Sequence, residues 1–179
     1  MTAAPLERAR ANHANHARTA GVDIAEHAAD KLARLAPSYD GIEFMRAIKR
    51  GDLPVPPIAG LIGFDIREIG PGRVVFTLAP ALEHYNPIGM VHGGVAATLL
   101  DTAMGCAVQT LLPKGEGYTT LDISVRYLRP ITVETGLVVA TGTVIHRGRR
   151  TATAEGDIVA EDTGKVLATA TSTLMLVQA

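Results

Sequence analysis

The spacing of hydrophobic residues changes near residue 58 and divides the chain into two parts. Before this point, apolar residues recur every three or four positions over residues 24–35 and 41–50, which predicts two amphipathic helices. After it, runs rich in Val, Ile, Thr and Leu alternate with turn residues, which predicts six strands. The predicted strands cover residues 61–69, 73–79, 118–128, 137–145, 151–159 and 166–177.

One long helix is predicted between the second and third strands. Residues 93–112 are mainly small or aliphatic helix formers, and a helix of this length would extend about 30 Å. Consecutive strands are joined by connections too short for parallel crossovers, so the sheet is predicted to be antiparallel. Small residues along the helix would let a curved sheet approach it closely. We therefore predict an α+β domain of order ββαββββ, with its antiparallel sheet wrapped around one long central helix.

The composition of the remaining segments predicts a tail, a helical extension and one main domain. Residues 1–20 are rich in Ala, Asn and His and short of large apolar groups, so we expect a disordered tail. Residues 21–57 are expected to form a helical extension that ends in an extended, proline-rich connector at 53–57. Residues 58–179 are expected to form the main domain.

Composition narrows the class of protein. The chain has 179 residues, a formal net charge of -1 and one cysteine, Cys106. A nearly neutral chain is not expected to bind nucleic acid, and a single cysteine excludes an internal disulfide and favours the cytoplasm. The apolar stretch 91–112 is expected to be a buried helix and not a membrane span, because Asp101 lies at its centre. No secretory signal is expected, because the first twenty residues lack a continuous apolar segment.

Several common catalytic motifs are absent from the sequence. None of the three serines lies in a G-x-S-x-G motif, and no phosphate-binding or dinucleotide-binding glycine motif joins a strand to a helix. Cys106 lies among apolar residues and is expected to be a small core residue, not a nucleophile. His27 and His84 have no companions and are expected at the surface. His13 and His16 lack carboxylate or cysteine companions, so no metal site is expected there.

The segment from Asn86 to Gly94 contains the first candidate catalytic residues. Its sequence, NPIGMVHGG, leads directly into the central helix. The start of a helix leaves backbone N–H groups unpaired, so Gly93 and Gly94 could hold a substrate carbonyl as an oxyanion. Alternatively, the two glycines only permit close packing. Asp101 in the middle of the helix favours the functional interpretation, because burying an unpaired carboxylate is costly.

Gly93 and Asp101 cannot act on the same carbon atom within one chain. They are eight residues apart, which corresponds to about 12 Å along a helix. In a two-fold dimer with antiparallel central helices, Asp101 of one subunit could approach Gly93 of the other. The sequence therefore predicts sites shared between the subunits of a homodimer.

These residues resemble the PaaI-type hot-dog-fold acyl-CoA thioesterases of the 4-hydroxybenzoyl-CoA thioesterase superfamily. The resemblance rests on Asn86, on His92-Gly93-Gly94 with Asp101 nine residues after the histidine, and on the strand segment TLDISVRYLRP at 120–130. It spans about residues 58–177. The predicted order ββαββββ is also that of the hot-dog fold.

The resemblance implies that the protein hydrolyses acyl-CoA thioesters to free acid and CoA without a metal ion or a separate cofactor. The N–H of Gly93 would hold the thioester oxygen, with Gly94 close by. His92 and Asn86 would orient the thioester. Similar proteins are homodimers that typically associate further into tetramers, and neither nucleic acid nor a membrane is an expected partner.

The resemblance also assigns roles to an acid and to a hydroxyl group. Asp101 of the facing subunit would be the general base or the nucleophile. Thr120 would position water or the carboxylate, and Thr119, its neighbour on the same strand, is the alternative.

A basic turn, HRGRR at 146–150, lies between two predicted strands. It could be a solvated hairpin tip or a contact for phosphate groups. In similar proteins this turn lies near the nucleotide of CoA, which implies that Arg149 and Arg150 contact phosphates and that Gly148 is the turn residue.

Two other functions stay open at this point. A hot-dog dehydratase that acts on 3-hydroxyacyl thioesters would need a histidine and a carboxylate, and His92 and Asp101 could supply them. A non-catalytic acyl-CoA-binding module would keep the pocket without the chemistry. The sequence does not determine the acyl group.

Overall fold

The computed structural model describes residues 23–178. The tail predicted at residues 1–20, with His13 and His16, lies outside these residues, and so does the side chain of His27. The described helices are α1 (Asp23–Leu35), α2 (Gly41–Arg50), α3 (Pro57–Ile62) and α4 (Gly93–Gln109). The strands are β1 (Phe64–Gly70), β2 (Arg73–Leu78), β3 (Glu116–Tyr127), β4 (Val138–Arg147), β5 (Thr151–Ala160) and β6 (Val166–Gln178).

The six strands form one antiparallel sheet around α4. Their order across the sheet is β1-β2-β4-β5-β6-β3, and α4 contacts all six strands. The predicted order ββαββββ and the central helix are therefore confirmed. The helix lies very close to the sheet, since a Cβ atom added at Gly142 of β4 would lie 2.1 Å from the carbonyl oxygen of Ala103. Small residues at this contact let the sheet curve around the helix.

The connector before β1 differs from the prediction. Residues 61–62 were predicted to begin a strand and Pro57 to be extended, but both belong to α3, and β1 begins only at Phe64. Pro57 is the first residue of α3, where its fixed φ angle suits a helix and its missing N–H is not needed. Gly63 ends α3 in the left-handed conformation with a φ of 84°. The prediction failed because a proline that breaks a helix interior can also start a helix.

The N-terminal helices dock on the C-terminal end of α4. The N–H of Gly41 donates to the carbonyl oxygen of Leu112 at 2.8 Å, and the N–H of Gly115 donates to that of Pro37 at 3.1 Å. A Cβ atom at Gly41 would lie 1.8 Å from the carbonyl oxygen of Gln109. A small apolar cluster of Leu32, Ala47, Ile48 and Leu53 holds this extension together.

β3 is an edge strand that contains a β-bulge. Thr120 pairs with Leu174 and Asp122 with Thr173, so Leu121 has no partner across the pair and is 55% exposed. A bulge reverses which side chains face inward. Before it, Tyr118 and Thr120 are partly buried, and after it, Ile123 and Val125 are. In a regular strand, Ile123 and Val125 would lie on the opposite side of β3 from Thr120. Because of the bulge, all three lie on the side that faces α4.

Candidate active site

Asn86 shapes the loop that leads into α4. Its side-chain oxygen accepts hydrogen bonds from the N–H groups of Ile88 at 3.1 Å and Met90 at 3.3 Å. Its own N–H donates to the carbonyl oxygen of Met90 at 2.8 Å. Because the oxygen is engaged in the loop, the amide nitrogen of the Asn86 side chain is the group that can contact a substrate.

His92 caps the N-terminus of α4. Its Nδ1 accepts a hydrogen bond from the N–H of Gly94 at 2.9 Å, and its backbone is extended, with φ −60° and ψ 135°. A ring nitrogen that accepts from an N–H group carries no proton, so the neutral ring has its hydrogen on Nε2. The side chain is exposed. His92 therefore presents an Nε2–H donor to solvent or to a ligand.

The N–H of Gly93 is the open donor at this end of the helix. The neighbouring N–H groups are used, since Gly94 donates to the His92 side chain and Val95 to the His92 carbonyl oxygen. Within residues 23–178, the Gly93 N–H has no hydrogen-bond partner. Its carbonyl oxygen is fixed from the other side by the hydroxyl of Tyr127 at 3.0 Å. A fixed N–H at a helix N-terminus can stabilise an oxyanion.

Asp101 lies halfway along α4, partly buried against β3. The hydroxyl of Thr120 donates to its Oδ1 at 2.9 Å, whereas Thr119 is exposed. The structure thus places Thr120, and not Thr119, beside the carboxylate. This contact fixes one oxygen of the Asp101 carboxylate.

Two further ionisable groups lie near this carboxylate. Burial and, secondly, the charge of Asp101 raise the pKa of the Cys106 thiol to about 12. Burial, with smaller contributions from Cys106 and Asp101, also raises the pKa of Tyr118. Both groups therefore stay protonated at neutral pH, and Cys106 is not a thiolate nucleophile.

The basic turn lies at the opposite end of α4 from Gly93. Arg147 forms an ion pair with Glu116 at 2.5 Å, and the N–H of Glu116 donates to the carbonyl oxygen of Pro113, just beyond the helix. Arg149 and Arg150 are exposed. The N–H of Gly148 closes the turn by donating to the carbonyl oxygen of Thr151 at 2.8 Å.

Within one chain, the predicted site residues therefore lie in three separate groups. Asn86, His92, Gly93 and Gly94 lie together at the start of α4, Asp101 and Thr120 lie at its middle, and the basic turn lies beyond its end. The 17 residues of α4 correspond to about 25 Å. A single chain does not bring the groups together.

His84 was missed by the sequence analysis, and the expectation that it lies at the surface is wrong. It is 5% exposed, and its side chain reaches α3, which precedes it by more than twenty residues. Its burial depends on this distant contact, which local sequence does not reveal.

The structure also bears on metal and membrane binding. Among the described side chains of residues 28–178, no three His, Cys, Asp or Glu residues are grouped so that they could hold a metal ion. Among the helices of the same residues, none is both long and apolar enough to cross a membrane.

Comparisons with known proteins identify the family and the fold. A model of the thioesterase superfamily matches residues 88–167. A relative from Halobacterium salinarum is 44% identical over 107 residues, which cover 57% of this chain and 69% of that protein. Acyl-coenzyme A thioesterase 13 from Homo sapiens is 31% identical over 98 residues, which cover 55% of this chain and 69% of that protein. The structure of the E. coli PaaI protein from the phenylacetic acid degradation operon shares the fold, with a TM-score of 0.66, 23% identity, and coverage of 77% of this chain and 95% of that one.

Proposed function

Because the chain belongs to the thioesterase superfamily and is a thioester hydrolase, we propose that its substrates are acyl-CoA thioesters, which it hydrolyses to a free acid and CoA. The name of the human relative supports this substrate class. One observation carries the proposal, namely the Asp101 carboxylate held by the Thr120 hydroxyl at 2.9 Å. A carboxylate fixed in this way can accept a proton or attack a carbonyl carbon. The family assignment favours hydrolysis over the dehydratase and the non-catalytic binding module.

The carboxylate can act by either of two routes. As a general base, Asp101 takes a proton from water while the water oxygen attacks the thioester carbon. As a nucleophile, Asp101 attacks this carbon itself and forms a mixed anhydride, which water then cleaves. In both routes the C–S bond breaks and CoA leaves as the thiolate. Neither route requires a metal ion, because the carboxylate activates or replaces water and protein donors stabilise the developing charge.

Donors for the thioester oxygen come from the start of α4. The open N–H of Gly93 would hold the oxyanion, supported by the positive end of the helix. The Nε2–H of His92 and the side-chain amide of Asn86 lie on the same loop and would orient the thioester before attack. Gly94 contributes by donating to His92 and fixing its ring.

The active protein is proposed to be a homodimer. Asp101 and Gly93 are eight residues apart on one helix, about 12 Å, so Asp101 would serve the Gly93 of a second copy. β3 supports such pairing because it is a twelve-residue edge strand with one unpaired side. Three large apolar side chains on or next to it are more than half exposed: Leu121, Tyr127 and Leu128. A tetramer would form by association of two such dimers.

The nucleotide of CoA is proposed to contact the basic turn. Arg149 and Arg150 are exposed and form no ion pair with the described side chains of residues 28–178, so they are available for phosphate groups. Arg147 is instead occupied by Glu116. The single cysteine of the chain is compatible with the proposed cytoplasmic location.

The proposal is tested by measuring thiol release from acetyl-, hexanoyl-, decanoyl-, benzoyl- and phenylacetyl-CoA. Wild type is compared with Asp101→Asn and with the matched control Asp162→Asn, which changes an exposed carboxylate in the turn between β5 and β6. We expect turnover by wild type and by the control, and a loss of about a hundredfold or more in Asp101→Asn. The proposal fails if no acyl-CoA is hydrolysed, or if Asp101→Asn is as active as the control.

A further inference from the structure

We propose that His84 is a positioning residue that couples α3 to the turn bearing the oxyanion donor, residues 92–94. The inference concerns this turn and rests on the proposed function only for its kinetic test. The family model begins at residue 88, so both His84 and α3 lie before it. His84 would thus give α3 an influence on the reaction.

Both ring nitrogens of His84 are bonded to backbone groups. Nδ1 accepts a hydrogen bond from the N–H of Ala81 at 3.1 Å, and Nε2 lies 3.0 Å from the carbonyl oxygen of Ile62, the last residue of α3. A backbone N–H can only donate and a carbonyl can only accept, so the proton is on Nε2. The ring is buried, and its orientation is fixed by both contacts.

The backbone of His84 continues this connection to the active site. Its carbonyl oxygen accepts a hydrogen bond from the N–H of His92 at 2.7 Å. The side chain of His92 in turn accepts from the N–H of Gly94 at 2.9 Å. Three successive hydrogen bonds therefore lead from Ile62 to Gly94, through one buried and one exposed histidine.

This connection matters because the oxyanion donor must be placed accurately. A displacement of about 1 Å at a reacting group can cost up to a hundredfold in rate. The hydrogen bond of the Tyr127 hydroxyl to the Gly93 carbonyl oxygen restrains the turn on one side. His84 restrains it on the other side, through the N–H of His92.

Two substitutions separate the two ring contacts. The side-chain nitrogen of His84→Gln can replace Nε2 and keep the bond to Ile62, but it gives Ala81 no acceptor. The side-chain oxygen of His84→Asn can replace Nδ1 and keep the bond to Ala81, but it does not reach Ile62. We expect kcat to fall about tenfold in His84→Asn with KM within twofold of wild type, and to be largely restored in His84→Gln.

The control for a general loss of stability is Val108→Ala, which removes buried methyl groups from α4 outside the proposed connection. It should lower the unfolding temperature without changing kcat. The backbone amide NMR signals of Gly93 and Gly94 give a readout that does not depend on activity. They should move in His84→Asn and stay in place in His84→Gln and Val108→Ala.

The outcomes separate this inference from the proposed function. If wild type hydrolyses no acyl-CoA but the amide signals move as expected, the proposed function fails and the positioning role stands. If the two His84 variants lose stability and kcat to the same extent, or leave the amide signals of Gly93 and Gly94 unmoved, His84 is only structural and the inference is wrong.

Discussion

The two ends of α4 satisfy their backbone groups in different ways. At the C-terminal end, the Thr110 hydroxyl donates to the carbonyl oxygen of Ala107 at 2.6 Å, and the N–H of Gly41 donates to that of Leu112 just beyond the helix at 2.8 Å. At the N-terminal end, loop side chains bond to neighbouring groups, and the N–H of Gly93 stays open within the described residues. One end is closed by the extension, and the other is prepared for a ligand.

This difference shows how structural and functional helix ends can be distinguished. A closed end contributes stability, because each satisfied carbonyl avoids the cost of an unpaired group. An open donor contributes little to stability but can stabilise charge that develops in a transition state. Substitutions at the two ends should therefore change different measured quantities.

The largest expected effect is at the open end. Gly93→Pro removes the N–H but suits the first position of a helix, and His92 already has the extended ψ of 135° that proline requires of its neighbour. We expect kcat to fall about 100- to 1000-fold while circular dichroism shows that the helix is kept. Gly93→Ala is the matched control, because it keeps the N–H and adds a Cβ 3.1 Å from the Tyr127 ring. Equal losses in the two variants would contradict the role of the N–H.

Substitutions at the closed end should lower the stability of the protein. In Gly41→Ala, the new methyl group would lie 1.8 Å from the backbone oxygen of Gln109, so the extension must shift. We expect the free energy of unfolding in urea to fall by about 2–3 kcal/mol, with kcat of the folded protein unchanged. Gly70→Ala is the control, because its methyl group meets only the carbonyl oxygen of Arg73, at 3.7 Å. Similar stabilities of the two variants would show that the extension is not tightly docked.

A smaller loss of kcat is expected at the middle of the helix. Thr120→Val keeps the shape of the side chain but removes the hydroxyl that donates to Asp101. We expect kcat to fall about tenfold, which corresponds to ~1.4 kcal/mol for a hydrogen bond to a charged group. Thr119→Val changes the exposed neighbour and should leave kcat within twofold. The reverse result would mean that Thr119, and not Thr120, supports the carboxylate.

The smallest expected effect is at the basic turn. Replacing both Arg149 and Arg150 by Gln should raise KM for acyl-CoA about threefold, because contacts between exposed charges are weak and screened by salt. The increase should vanish at high salt and for an acyl-pantetheine thioester, which lacks the nucleotide. An equal increase for both substrates would place the turn near the acyl group and not near the phosphates.

Much of the fold could be predicted from local pattern. The order of elements along the chain, ββαββββ, and the start of α4 at Gly93 follow from alternation, from turn glycines and from helix formers. The position of Thr120 could not be settled in the same way, because the bulge at Leu121 interrupts the alternation within an otherwise regular strand. The burial of His84 could not be predicted either. Its partner Ile62 belongs to α3, a helix that was not expected next to the proline-rich connector. Local signals define elements, whereas contacts between distant segments define the details of the site.

The central claim is that Gly93 of one chain acts with Asp101 of another. Gly93→Pro and Asp101→Asn, each inactive alone, should be coexpressed with different tags and purified together. If two chains share each site, half of the randomly formed dimers are mixed and each has one intact site, so about a quarter of wild-type thiol release returns. If verified mixed dimers stay as inactive as the two parents, Gly93 and Asp101 act within one chain and the account is contradicted.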